Sequence, residues 1–232
     1  GTTMFNTLKI SLYSIVVGFP LPIILAIISN QLRVGKFRKI FQVTTYLPHF
    51  ISTMVMCGMI ILFLSPTSGL LANVFKSVGI TIPDFLSKPS HFAGVYVWSD
   101  VWQHIGWDSI IYLAALSAID PTYYEAATMD GASRLQKIRH IELPLLLPTA
   151  MILLILRAGS LLSVGFEKVL LLQNPLNLAG SEIISTYVYK VGMVNFQYSY
   201  STAIGLFNTV VNLIILLSVN WFSKRYTRTG LF

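Results

Sequence analysis

The sequence predicts an all-α fold, a polytopic transmembrane helical bundle, on three observations. Of its 232 residues, 54% are hydrophobic and only 11% charged, with a mean hydropathy of +0.69; a soluble domain carries about a quarter charged residues. Five stretches reach the ~20 mostly apolar residues that cross a ~30 Å hydrocarbon core. The basic residues fall in alternate connections between those stretches. Hydrophobicity excludes disorder, and the lone Cys57 excludes a disulfide scaffold.

The first span covers about residues 8–28 and contains Gly18, Pro20 and Pro22. Proline inside a spanning helix removes an internal bond and usually kinks it, leaving open a hinge or a passive bend. The second covers about 40–64, with Cys57 mid-span in a small apolar role. A Gly-, Pro- and Ser-rich segment follows. The third, about 92–119, is the least hydrophobic. The fourth covers about 145–166, and after a further long segment the fifth covers about 203–222. There is no internal repeat. The outer segments carry Tyr187, Tyr189, Phe196, Tyr198 and Tyr200, read either as interfacial belt or as contacts for a docked protein.

Ten of the 16 basic residues lie in three segments: Arg33, Lys36, Arg38 and Lys39; Arg134, Lys137 and Arg139; Lys224, Arg225 and Arg228. The opposite connections hold Lys76, Lys88, Lys168 and Lys190, while Lys9 and Arg157 fall inside spans. Positive charge collects on the cytoplasmic side, so residue 1 is placed outside and the C-terminus inside. The net charge of +7 therefore reads as topology and not as a nucleic-acid surface. The opening Gly-Thr-Thr-Met has no signal-peptide pattern, and a start outside without one leads us to expect a further helix upstream.

The connection 120–144 carries the most structured signals. Asp120-Pro121 is an N-cap with proline at the first helical position. A short helix to about Met129 stops at Asp130-Gly131, and Ser133 with Gln136 forms a capping box for a second. Pro144 and Pro148 are expected to break the base of span four. Two short helices with a glycine turn at a membrane surface suit docking into a partner's groove, or simply link two spans.

The string Glu125-Ala126-Ala127, Asp130-Gly131-Ala132, Ile141-Glu142-Leu143-Pro144 and Pro148 resembles the EAA motif of membrane subunits of binding-protein-dependent ABC importers. It departs from the pattern at Ile138 and Arg139, where an aromatic is common. IIYLAALSAID, RAGSLLSVGFEKVLLLQNP and TYVYKVGMVNFQYSYSTAIGLFNTVVN resemble the carbohydrate-importer branch, within it the lipopolysaccharide and complex-polysaccharide permease group. The resemblance spans nearly the whole chain.

That resemblance implies one permease domain over 1–232, five helices of six, in the bacterial cytoplasmic membrane. It implies half of a sugar pathway, paired with a homologous second permease and supplied by an extracellular binding protein. Glu125, Ala126, Ala127, Asp130, Gly131 and Ala132 would form the coupling face for a cytoplasmic ATPase dimer, which binds the ATP and Mg. The chain itself is expected to hold no cofactor and to catalyse nothing: it has no GxxxxGK[ST] loop and no HExxH.

Charges inside a membrane mark function by default. Span three carries Asp100, Gln103, His104, Trp107 and Asp108, of which 100, 104, 107 and 108 share a helical face. This stripe either lines a sugar pathway or knits helices together. A metal at Asp100, His104 and Asp108 lacks a second cluster, so none is expected. At ~1.5 Å per residue, Asp108 and Arg157 lie ~16–18 Å from the cytoplasmic ends of their spans, and their equal depths predict a pair. The candidate pathway set is Gln103, His104, Trp107, Asp108 and Arg157. A secondary transporter or channel would work through Asp108 and Arg157 alone but leaves the EAA pattern unexplained. An intramembrane enzyme would need a nucleophile with a base or a metal pair.

Overall fold

The computed structural model describes the chain except for Arg33, Val34, Ser68, Val78, Ile80, Thr81, Ile82, Arg228, Thr229, Leu231 and Phe232, and the side chains of Ser77, Tyr226 and Thr227. Every regular element among the described residues is helical. Helices α1 (Thr2–Gly18) and α2 (Pro20–Gln31) run as one apolar span of 30 residues. Phe19 keeps right-handed helical dihedrals between them, and Pro20 sits at a first helical position, where its missing N–H costs least. The prolines therefore do not break the span.

The sharp bend lies in the second stretch, which sequence alone reads as one crossing. Helix α3 (Lys36–Tyr46) passes through a 3₁₀ turn (Leu47–Phe50) and meets α4 (Thr53–Leu64) at 96°. The cause is local: Pro48 removes a donor, and Ser52 restarts the helix by accepting from Val55 N at 3.4 Å. The segment read as a connection holds α5 (Leu70–Ser77). Helix α6 (Pro89–Ser117), 29 residues and ~44 Å long, is the central stave.

Helix α7 (Pro121–Met129) forms as its caps require, but the next short helix does not end at the prolines. Helix α8 (Arg134–Lys137), a π turn (Ile138–Glu142) and α9 (Leu143–Gly159) make one 26-residue helix. The wider turn, with Leu143 N–H reaching back to Ile138 O, adjusts the register just before Pro144. Span four thus begins earlier than 145 and stops at Gly159, short of 166. Helices α10 (Phe166–Leu172), α11 (Leu178–Ser181) and α12 (Ile184–Tyr189) follow, then a π turn (Lys190–Val194) and α13 (Tyr198–Thr227), longer at both ends than 203–222.

Three continuous helices among the described residues are long and apolar enough to cross a membrane, and the bent α3–α4 pair makes a fourth. Polar α6 is not among them by composition, as its stripe of charges dictates. The irregular backbone after Gly159 is satisfied by side chains, as backbone at membrane depth must be. Asn212 Oδ1 accepts from Leu162 N at 3.0 Å, Tyr96 OH from Gly165 N at 3.2 Å, and the Ser11 hydroxyl donates to Leu161 O.

One apolar core surrounds the first half of α6 with Ile10, Met56, Ile60, Val97, Val169 and Ile183; a second surrounds its far end with Ala26, Tyr112, Leu116, Leu146 and Ala150. Cys57 is buried in the first, within reach of Lys168 O at 3.9 Å. The end of α2 touches the start of α9, and α13 lies against α9 with Leu216 at Gly159. The two basic connections therefore gather at one end of the bundle, and α13, antiparallel to α9 with Asn212 at Leu162 and Leu216 at Gly159, points its basic end the same way. Arg33 and Arg228 lie outside the described residues.

Candidate functional site

Successive turns of α6 place Asp100, His104 and Asp108 one above another, and each of the two carboxylates meets a cation. Asp108 Oδ2 accepts from Arg157 Nη2 at 2.5 Å, so the pair expected from equal depth is made across 49 residues of sequence. Asp100 Oδ1 lies 3.3 Å from Lys168 Nζ and 3.4 Å from His104 Nδ1. Lys168 also sits 5.1 Å from the centre of the Tyr96 ring. By sequence Lys168 falls in an outer connection; the early end of α9 brings it back beside α6.

Two cavities flank the Arg157 guanidinium. One, of ≈270 Å³, is lined by Gly18, Pro22, Asp108, Tyr112 and Arg157 among others. The second, of ≈260 Å³, is lined by Ser11, Ser14, Asp100, Arg157, Ser160 and Ser163 among others. Gly18 lies beside the guanidinium: a Cβ there would make ordinary van der Waals contact with Arg157 Nη1, at 3.4 Å. His104 and Asp108 line a third, small cavity of ≈10 Å³ that shares Gly18 and Asp108 with the first and Ser14 and Asp100 with the second.

The remaining members of the stripe do other work. Gln103 is 3% exposed and donates to Ile51 O at 2.8 Å, so it holds the bend between α3 and α4 instead of lining a cavity. Its place on α6, about 100° round from 104 by helical geometry, is the reason. Trp107 stacks on His49 at 4.3 Å and 2°, with Phe50 edge-on at 5.9 Å. His49 and Phe50 were missed because their position depends on the bend. Among the described residues no group of three His, Cys, Asp or Glu side chains is arranged to hold a metal ion.

At the basic end, α7 stands on its caps. Asp120 accepts from Thr122 N at 2.9 Å, and this bond holds its carboxyl below the usual carboxylate range. Gly131 takes φ 74, with Ala132 N bonded to Ala127 O at 2.8 Å and Gly131 N to Thr128 O at 3.1 Å, the paired bonds of a glycine-stopped helix. The capping box of Ser133 and Gln136 is formed. Glu125, Ala126, Asp130 and Gly131 are exposed, while Ala127 and Ala132 are half-buried. Beside them project Met129, 90% exposed, and Leu135, 73% exposed. Together they make an exposed apolar tip flanked by small residues. Isolated apolar residues in a polar loop were its only sequence signal.

The family described as binding-protein-dependent transport system inner membrane component matches residues 18–228. The chain belongs to that family. It is a membrane permease subunit of an ABC importer, a multi-pass helical protein of a class that does not itself catalyse. The permease is 38% identical over 227 residues to Protein LplB of Bacillus subtilis (strain 168), covering 98% of this chain and 71% of that one. It is 39% identical, with the same coverage, to the polygalacturonan/rhamnogalacturonan transport system permease protein YteP of the same organism. Its fold matches a chain of a bacterial alginate ABC transporter, solved in complex with an alginate pentasaccharide-bound periplasmic protein. That match has a TM-score of 0.96 and 42% identity, over 99% of the permease and 80% of that chain.

Proposed function

We propose that this permease forms half of the pathway by which an acidic oligosaccharide enters the cell, and that α7 couples the pathway to a separate ATPase. The observation that carries the reading is Arg157, whose guanidinium lines both cavities beside Asp108. A planar guanidinium binds a carboxylate through two parallel hydrogen bonds, and a uronate carboxylate is such a ligand. Serine hydroxyls at 11, 14, 160 and 163 line the second cavity and offer hydrogen bonds to sugar hydroxyls, while Trp107, outside both cavities, stacks on His49 and keeps part of its ring exposed. The relatives named for alginate and polygalacturonan transport support an acidic substrate.

In this reading, His104, Trp107, Asp108 and Arg157 belong to the pathway and Gln103 supports it from behind. Glu125, Ala126, Ala127, Asp130, Gly131 and Ala132 form the ATPase-facing surface, with Met129 and Leu135 as its apolar tip. The basic end is cytoplasmic, and a second permease completes the pathway. ATP with its Mg²⁺ binds the ATPase, which performs the hydrolysis; a binding protein delivers the sugar from outside. Uptake of labelled oligogalacturonate against a neutral oligosaccharide of equal length tests the substrate. The acidic sugar should be preferred, and Arg157→Gln should remove the preference; equal uptake of both overturns it. Recovery of an ATPase with the wild-type chain, lost on Gly131→Val or Glu125→Lys, tests the coupling face. Uptake that persists with no ATPase bound would return the chain to the secondary-transporter class.

A further inference from the structure

Helix α7 buries none of its residues, so little apolar packing fastens it to the spans. One polar contact reaches inward. Glu142, 0% exposed in the π turn at the base of α9, accepts on a single oxygen from three side chains. These are Gln31 Nε2 at 2.8 Å, Asn30 Nδ2 at 3.2 Å and the Tyr124 hydroxyl at 3.3 Å. Its other oxygen is buried without a hydrogen-bond partner among the described residues. Burial and the neighbouring Glu142 push the Tyr124 phenol up to about 12, so it remains a donor at neutral pH.

As a stabilising device this arrangement is poor. A buried carboxylate with an unpaired oxygen is costly, and a packed hydrophobe would serve the same position better. Its connections give it another use. Asn30 and Gln31 end α2, whose opposite end, at Phe19 and Pro22, lines the ≈270 Å³ cavity with Asp108 and Arg157. Along its length α2 packs Ala26 against Tyr112 and Leu116 of α6.

We propose that Glu142 is a positioning residue that joins α7 to α2, so that displacement of α7 by the ATPase is delivered through Tyr124, Glu142 and Asn30–Gln31 to the wall of the cavity. This rests on the ATPase-facing reading of α7. The strut acts by hydrogen bonds to one carboxylate oxygen, a discrete contact that is either made or broken.

The test uses the assembled transporter in proteoliposomes, with labelled oligogalacturonate uptake and ATP hydrolysis read in parallel. Tyr124→Phe and Glu142→Leu should leave the ATPase bound and hydrolysing while sugar imported per ATP falls about 5-fold or more, the lower end of ordinary coupling between sites. Glu142→Gln keeps an acceptor oxygen and should restore most of that ratio. Adding Tyr124→Phe to Glu142→Leu should cost nothing further. If Glu142→Leu fails to assemble, Tyr124→Phe and the Asn30→Ala, Gln31→Ala pair carry the same measurement. An unchanged ratio, whether both rates fall together or neither falls, overturns the proposal. A wild-type chain that holds no ATPase overturns the coupling-face reading instead.

Discussion

Arg157 and Asp108 illustrate how a single contact can decide what a residue is for. Arg157 keeps 39% and Asp108 30% side-chain exposure, so the pair is half-wet and worth less than the 3–5 kcal/mol lost on breaking a fully buried one. Asp108→Asn should therefore lower stability by about 1–3 kcal/mol, chiefly by leaving Arg157 unpaired. Adding Arg157→Gln should recover much of that loss. Thermal unfolding of the two single variants and the double variant in detergent reads the coupling directly; additive losses would contradict it. This pair was legible in sequence because depth alone fixes it: two charges equally far from the same face have few other partners. Lys168 with Asp100 was not legible, because it depends on where α9 stops. Gln103 looked like its polar neighbours, and only the bend beside it shows which way it faces.

Among the elements, the bent α3–α4 pair and the capped α7 differ in how much of their form is local. Each cap of α7 was readable, since Asp120, Gly131 and Ser133 with Gln136 act within a few residues. Asp120 has its carboxyl pKa lowered by the α7 backbone, so its contribution is present above the unfolded value of about 4 and is lost as pH falls through the lower folded value. Amide exchange at the first turn of α7 should therefore accelerate only below about pH 4. In Asp120→Asn, which caps without titrating, that acceleration should be absent.

The bend was written in Pro48 and Ser52, but hydropathy summed over 40–64 hides it. Its clamp is Gln103. Gln103→Leu leaves the half-buried Ile51 without this donor and should cost about 1 kcal/mol. It should also quench or shift Trp107 fluorescence as the His49 stack moves. A variant with wild-type stability and emission would remove Gln103 from this role. Gly106, on the same face of α6, abuts the Thr45 backbone carbonyl so closely that no side chain fits, which is why the bent element can lie so near.

On the scale of the whole molecule, hydropathy identified a membrane protein with more certainty than it identified the crossings. The polar α6 is the stave that holds both cores, whereas α13, apolar over most of its middle, leaves Leu206, Phe207, Val210, Leu213, Ile214 and Leu217 exposed. A sequence reports how apolar a segment is but not whether protein or lipid covers it. For α13 we expect lipid at these positions. Leu213→Arg should then reduce the membrane-integrated fraction, by about 2.5–3.5 kcal/mol on an insertion scale at mid-span. The nearby Leu216→Ala, which loosens the contact with Gly159, should leave integration unchanged and lower thermal stability instead. Carbonate-resistant membrane fractions of the two variants separate these effects.

The pairing of charges along α6 has an electrical consequence. Arg157 is matched by Asp108 and Lys168 by Asp100, so a rocking of these helices carries almost no net charge through the membrane field. One unpaired charge crossing 100 mV would do or require about 2.3 kcal/mol of work. With these two pairs neutralised in place, motion of α6 against its neighbours should add little voltage dependence to import, and uptake by proteoliposomes at imposed potentials checks this.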